Sequence, residues 1–272
     1  AKSVTGWYNG KTYGEIWGFE VDRLFTKDDF VYDPNGKLVT VKSKDGYNVY
    51  QFSDPNMPTQ GYLNSGSLIF GPGDVKYKDL NGDGVLDKGA SLTDDHGDLT
   101  VIGNTTPRYE YNFRVDLAYK GFDFSAFFQG VGQRDMWGSS SVSLPGFNTS
   151  DGAMAQTFAG DFWYETIVDG KVVDANYDAF YPRAANCAGS TSVFNMQTSD
   201  RYLLDMSYLR LKNVTLGYSI PEKILNKAHI NKLRVYVALE NFLTFDKLNG
   251  LPIDVEEMAG YSSFNSSNYN SG

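Results

Sequence analysis

The stretch RYEYNFRVDLAYK, residues 108–120, alternates between apolar and polar side chains along its length. One face carries only apolar or aromatic residues: Tyr109, Tyr111, Phe113, Val115, Leu117 and Tyr119. The other face is polar and is interrupted only by Ala118: Arg108, Glu110, Asn112, Arg114, Asp116 and Lys120. A period of two predicts a β-strand with water on one side and lipid or a protein core on the other.

The length of this strand favours lipid. From Tyr109 to Tyr119 it rises roughly 33 Å, and a tilt of about 40° leaves roughly 25 Å of height, which is the apolar band of an outer-membrane barrel. Tyrosines lie at the ends, with Val115 and Leu117 between them, as expected for aromatic girdles at the two membrane surfaces. The alternative is a long strand of a soluble β-sandwich with an aromatic-rich core.

Further strands follow the same period. Residues 122–130, FDFSAFFQG, continue after Gly121 and predict a hairpin with the first strand. A second hairpin is predicted from residues 208–220 and 233–243, joined by a short helical turn. The alternation changes phase near Lys212, which indicates either a β-bulge or the point where lipid contact begins.

The connections alternate in length. They are short at Gly121 and Pro221, whereas residues 130–201 form a long connection rich in Gly, Ser, Asn and Asp. Outer-membrane barrels have short periplasmic turns and longer external loops, so we expect the short connections on the periplasmic side. The first hundred residues are then expected to form outer strands and an external loop, and the chain after Asp246 another external loop. The fold prediction is all-β: part of an antiparallel transmembrane β-barrel, the C-terminal strands with long extracellular loops.

The composition argues against several other functions. A net charge of -9 and a pI near 4.7 provide no basic surface for phosphates, so no nucleic-acid partner is expected. The single cysteine, Cys187, gives no disulfide framework, and His96 and His229 lie far apart, so we predict no enzyme. Mean hydropathy is -0.38. That value is compatible with a barrel, because only alternate residues of a membrane strand face lipid.

Ordered motifs give a more specific indication. They are DVKYKDLNGDGVLD, TVIGNTTPRYEYNFRVDLAYKGFDFSAFFQGV, SYLRLKNVTLGYSIPEKIL and LRVYVALENFLTF, with a weaker match in GEIWGFEVDRLF. Together they resemble the C-terminal third of the SusC/RagA-like TonB-dependent transporters of Bacteroidota, over residues 74–132 and 205–247. The resemblance implies a large barrel in the bacterial outer membrane, with an N-terminal plug and a SusD-like surface lipoprotein as a lid. It also implies active import of oligosaccharides or peptides, driven through TonB and its partners ExbB and ExbD.

The chain departs from the family pattern at both ends. The plug and the earlier strands are missing, and the loop-like YSSFNSSNYNSG at residues 261–272 replaces the expected final strand. Too few long strands are present to close a wide barrel, and an open sheet edge is not stable in hydrocarbon. We therefore expect residues 1–272 to be the C-terminal part of a transporter barrel, with the plug and remaining strands outside this chain.

Residues 79–87, DLNGDGVLD, have the first half of a calcium loop. The candidate ligands for calcium or magnesium are Asp79, Asn81, Asp83, Val85 and Asp87. The twelfth position is Ala90, which excludes a complete EF-hand, although Asp94 or Asp95 could complete a site. The alternative is a solvated, Asx-rich turn that stiffens an external loop.

Aromatic residues in the long connection are candidates for solute binding. They are Trp137, Phe147, Trp163 and Tyr164, and their flat faces beside hydroxyls and amides suit sugar stacking or peptide docking. The alternative is packing against other loops or a lid protein. The predicted function is active nutrient import across the outer membrane. The alternatives are a soluble or surface carbohydrate-binding β-sandwich and a calcium-dependent adhesin.

Overall fold

The computed structural model describes residues 2–64, 68–138, 160–184, 195–251 and 253–256. Regular structure in these residues is almost entirely β. The strands are β1 (Glu15–Gly18), β2 (Val21–Leu24), β3 (Thr40–Lys42), β4 (Asn48–Tyr50), β5 (Val75–Tyr77), β6 (Thr100–Asn104), β7 (Tyr109–Tyr119), β8 (Phe122–Gly132), β9 (Asp135–Trp137), β10 (Tyr164–Val168), β11 (Lys171–Asn176), β12 (Leu203–Asp205), β13 (Tyr208–Ser219) and β14 (Arg234–Asp246). Among the described helices, none has the length and apolar character that crossing a membrane requires.

The four longest strands form one antiparallel sheet in the order β14–β13–β8–β7. They contain 11 to 13 residues each, about twice the usual length of a strand in a soluble protein. The predicted all-β antiparallel class and the two predicted hairpins are confirmed. Lys120 and Gly121 join β7 to β8 with φ values of 48° and 87°, as a type I′ hairpin turn requires.

The connection between β13 and β14 is also short. It contains Pro221, the helical turn α1 (Glu222–Leu225) and a 3₁₀ turn (Asn226–Ala228), which confirms the predicted helical turn. Leu225 is buried and anchors this connection. We call the end of the sheet with the two short connections the turn end, and the opposite end the loop end.

Two adjacent β-bulges keep the apolar residues of β13 and β14 on one face. The pairing of β13 with β8 shifts between Leu211 and Asn213, so Lys212 is an extra residue. The pairing of β13 with β14 shifts at the same place, and Asn241 of β14 has a φ of 49° there. The phase change near Lys212 is therefore a bulge, because an extra residue returns the following alternation to the same face.

Within the described residues, the first hundred form a packed unit of short strands, which corrects our expectation of outer strands. Its strands have 3 to 5 residues and pair as β1–β6, β2–β5 and β3–β4. The core contains Phe25, Phe30, Phe52 and Phe70, whose neighbouring ring centroids lie 5.3 to 6.4 Å apart. Clustered aromatic rings stabilise such a unit without long strands, because each ring buries a large apolar area.

Buried polar contacts attach the long connection between β8 and β13 to this unit. The Asp74 carboxylate is fully buried and accepts hydrogen bonds from the Arg183 guanidinium at 2.8 and 2.7 Å and from the Asn195 amide at 2.8 Å. Burial raises the pKa of the Asp74 carboxyl above its ordinary value, against the lowering effect of Arg183. A buried carboxylate that lost these partners would be strongly destabilising, so the contacts hold the connection in place.

Candidate functional site

One face of the four-stranded sheet is apolar and exposed; we call it the apolar face. Its central row across the strands contains Val115, Ala126, Val214 and Leu239. Its exposed members are Tyr109, Tyr111, Phe113, Val115, Leu117, Tyr119, Phe122, Leu216, Val235, Val237, Leu239, Leu243 and Phe245. Between 38% and 70% of each of these residues is accessible, and no second sheet covers them in the described part of the chain. A soluble sandwich would bury such a face.

Two tyrosines lie over glycines at the loop end of the apolar face. Tyr109 pairs with Gly132 and Tyr111 pairs with Gly130, and a methyl group on either glycine would overlap the facing ring. The Tyr111 hydroxyl also donates a hydrogen bond of 3.2 Å to the backbone carbonyl of Tyr208, two strands away. Aromatic rings placed this way cover the glycine backbone and link three strands.

The opposite face of the sheet is polar; we call it the polar face. Its middle rows include Arg114, Asp116, Ser125, Asn213, Thr215 and Glu240. Arg234 of β14 forms an ion pair with Asp123 of β8 by reaching across Gly217 of β13, where a methyl group would meet both side chains. A depression of about 550 Å³ lies beside these residues. Charged side chains on this face suit contact with water.

Nearer the loop end, the polar face carries a group of charges that we call the Arg210 cluster: Arg210, Lys212, Asp254 and Glu256. The Arg210 guanidinium donates to Asp254 at 2.8 Å and lies 3.0 Å from Glu256. The Lys212 ammonium donates to Glu256 at 2.7 Å. The segment with the two carboxylates follows β14 and folds onto the sheet; its assignment to an external loop stays a prediction.

A cleft of about 950 Å³ opens at the loop end, where the sheet meets β1 and β6. Tyr109, Tyr111 and Phe245 line its aromatic side, and Glu15 and Lys247 are among the charged residues on the other walls. These walls come from distant parts of the sequence. No local pattern could therefore have predicted the cleft.

The candidate metal ligands lie together in one turn, where their side chains accept backbone hydrogen bonds. Asp79 accepts from the N–H groups of Gly82 at 2.6 Å and Gly84 at 2.9 Å, and Asp83 accepts from Val85 at 2.8 Å. Among the described residues, no group of three or more His, Cys, Asp or Glu side chains is arranged to hold a metal ion. These bonds are typical of an Asx-rich turn, and the calcium or magnesium site stays a prediction.

Trp137, one of the four aromatic candidates, lies in a core and not at a surface. Only 3% of it is exposed, and its ring centroid lies 6.1 Å from that of the buried Tyr202. Its burial favours the packing alternative, and solute binding by Trp137 stays a prediction. Phe147 lies outside the described residues.

The other two aromatic candidates are partly exposed and take part in local contacts. The Trp163 ring lies over Gly73, where a side chain would overlap it. The Tyr164 hydroxyl donates to Asp174 at 3.1 Å within the β10–β11 hairpin. Solute binding by Trp163 and Tyr164 stays a prediction.

Curated relatives of the chain are receptors from Formosa agariphila. TonB-dependent receptor P3 is 30% identical over 179 residues, which cover 66% of this chain and 15% of that protein. TonB-dependent receptor P26 is 29% identical over 171 residues, which cover 63% of this chain and 15% of that protein. TonB-dependent receptor P39 is 24% identical over 263 residues, which cover 90% of this chain and 23% of that protein. The chain thus spans less than a quarter of the length of these relatives. No family model matches it.

Solved structures also resemble the chain. The RagAB peptide importer in its "closed-closed" state has a TM-score of 0.46 and 16% identity, covering 92% of this chain and 22% of that one. A structure of the RagAB peptide transporter has a TM-score of 0.46 and 17% identity, and the match covers 88% of this chain and 20% of that one.

The described residues define an all-β antiparallel protein with a long-stranded sheet that is apolar on one face and polar on the other. The resemblance carried by the ordered motifs is confirmed by the aligned relatives. In sequence the chain is similar to TonB-dependent receptors, as the resemblance to SusC/RagA-like transporters predicts.

Proposed function

We propose that this chain forms part of the wall of an outer-membrane importer that takes up nutrients with energy delivered through TonB. The single observation that carries the proposal is the exposed apolar face of the four-stranded sheet. Soluble monomers rarely expose an apolar surface of this extent, whereas a barrel strand places such side chains against lipid.

The dimensions of the sheet support the proposal. The 11 residues of β7 give a rise of roughly 33 Å from the first to the last, which at a tilt of about 40° matches the thickness of the apolar layer. Tyr109 and Tyr111 lie at the loop end of the apolar face and Tyr119 and Phe122 at the turn end. Aromatic residues are favoured at both boundaries between hydrocarbon and head groups.

The polar face supports a hydrated path on the other side of the wall. Arg114 and Asp116 are both more than half exposed on this face and pair at 2.9 Å. A soluble carbohydrate-binding sandwich or a calcium-dependent adhesin would need a partner for the apolar face. Neither alternative accounts for both faces, so we favour the importer.

The proposal includes partners and cargo that lie beyond this chain. Coupling to TonB, ExbB and ExbD would use a plug and an N-terminal part, and a SusD-like surface lipoprotein would cover the external end. The names of the aligned relatives support dependence on TonB. Oligosaccharides or peptides are the proposed cargo, and no enzymatic activity or obligatory cofactor is proposed.

Cell fractionation and uptake test this function. The full-length protein should be found in the outer membrane and should need detergent for extraction. Its deletion, or deletion of TonB, should abolish uptake of one labelled oligosaccharide or peptide from a panel, and the intact gene should restore it. A protein found in the soluble fraction, or uptake of every panel member unchanged by both deletions, would contradict the proposal.

A further inference from the structure

The chain after β14 folds back over the polar face of the sheet. Leu248 and Val255 are only 3% and 1% exposed, and they belong to one apolar cluster with Met206 and Tyr208. Both ends of this short stretch are therefore buried against the loop end of the sheet. Burying apolar side chains fixes the position of the stretch and brings Asp254 and Glu256 to β13.

With the two carboxylates in place, both cations are largely removed from water. The Arg210 side chain is 11% exposed and the Lys212 side chain 25% exposed. Arg210 also donates to the Thr244 hydroxyl at 2.8 Å, and its guanidinium lies 5.8 Å from the centre of the Tyr208 ring. These contacts involve neither carboxylate and orient the guanidinium, and oriented donors bind carboxylates more strongly than mobile ones.

We infer that Arg210 and Lys212 form a carboxylate-binding site on the polar face that the chain's own Asp254 and Glu256 occupy, and that an anionic solute competes for it. The inference rests on the proposed function, in which this face lines the solute path. Replacing one carboxylate by another keeps the charges balanced. Cations left without any carboxylate would be unfavourable, because half-buried charges need partners.

The matched probes are tri-glutamate and tri-glutamine, which differ in side-chain charge. Binding of each is measured by calorimetry to the full-length protein, purified from the outer membrane in detergent. The double variant Asp254→Asn with Glu256→Gln should bind tri-glutamate about tenfold more tightly than the natural protein. A tenfold gain corresponds to an internal competitor that occupies the site about nine-tenths of the time. Tri-glutamine binding should not change.

Two further variants separate the site from general charge effects. Adding Arg210→Gln to the double variant should abolish the gain for tri-glutamate. Asp205→Asn removes a carboxylate from its pair with Lys247 outside the cluster and should produce no gain. Equal binding of both probes to the double variant, or a gain of the same size in Asp205→Asn, would overturn the inference.

A variant that retains every charge guards against misfolding of the double variant. Val255→Ser weakens the burial of the segment and should also increase tri-glutamate binding, whereas a gain for neither probe would count against the inference. All variants are compared for outer-membrane location and for the gel shift on heating that folded barrels give. If the natural protein is not found in the outer membrane, the proposed function is refuted. If the variants are found in the outer membrane but show no gain in tri-glutamate binding, only this inference is refuted.

Discussion

A pair of arginine substitutions on adjacent residues of β14 tests which face of the sheet contacts lipid. Leu239 lies in the central row of the apolar face, where 39% of it is exposed. Its neighbour Ala238 pairs with Thr215 on the polar face. Both positions are on the same strand, so the two substitutions share secondary structure and differ mainly in the face they change.

The expected cost follows from the position in the membrane. An arginine on the lipid face near the bilayer midplane costs about 2–4 kcal/mol in a barrel, whereas one facing water costs little. Since about 1.4 kcal/mol corresponds to a factor of ten, Leu239→Arg should shift the folding equilibrium by roughly 30-fold to 1,000-fold. Ala238→Arg should shift it by less than about 1 kcal/mol.

The assay is urea unfolding of the full-length protein in phospholipid vesicles, followed by the gel shift between folded and unfolded forms. A Leu239→Ala control separates the effect of charge from the loss of side-chain volume. Equal stability of Leu239→Arg and the natural protein would refute the assignment of the apolar face to lipid. So would a larger loss in Ala238→Arg than in Leu239→Arg.

Three further predictions concern other parts of the fold. Gly130→Ala should lower the free energy of unfolding by about 1–3 kcal/mol, because the new methyl group displaces the Tyr111 ring. Thermal unfolding measures this loss, and an equal loss in a Tyr111→Ala background would contradict the mechanism. Asp74→Asn should destabilise the unit formed by the first hundred residues by about 3–5 kcal/mol, because Arg183 loses its carboxylate. Proteolysis of this unit should become faster while the gel shift of the barrel stays the same. Unchanged proteolysis would refute this prediction. Calorimetry should detect calcium binding that Asp83→Ala removes, and heat of binding that is absent or identical in both proteins would exclude the predicted metal site.

The long strands could be predicted because their signal is local. The polar and apolar positions of residues 108–120 alternate almost without interruption, and β7 (Tyr109–Tyr119) coincides with that stretch to within one residue at each end. Gly121 marked the turn because a type I′ turn needs positive φ. The bulge at Lys212 was also visible, as a change in the phase of alternation.

The remainder of the fold depends on contacts between distant residues. Phe25 and Phe70 stack at 5.3 Å from 45 positions apart, and neither lies in an alternating pattern. Arg210 and Asp254 are separated by 44 residues. Trp137 was expected in a solute-binding loop, but tertiary packing buries it. Sequence periodicity reports which face of a strand is apolar, and it contains no information about such pairings.

The most direct test of the central claim is the accessibility of successive residues of β7 in membranes. Residues 112–117 are changed one at a time to cysteine in a Cys187→Ser background, which removes the single natural cysteine. Each cysteine carries a nitroxide label in the full-length protein in vesicles, and collisions with oxygen and with a water-soluble nickel complex are measured. Labels at Phe113, Val115 and Leu117 should favour oxygen, which concentrates in lipid, and labels at the intervening positions should favour nickel. The assignment would be contradicted if nickel reached the labels at those three positions freely, or if neither reagent reached them.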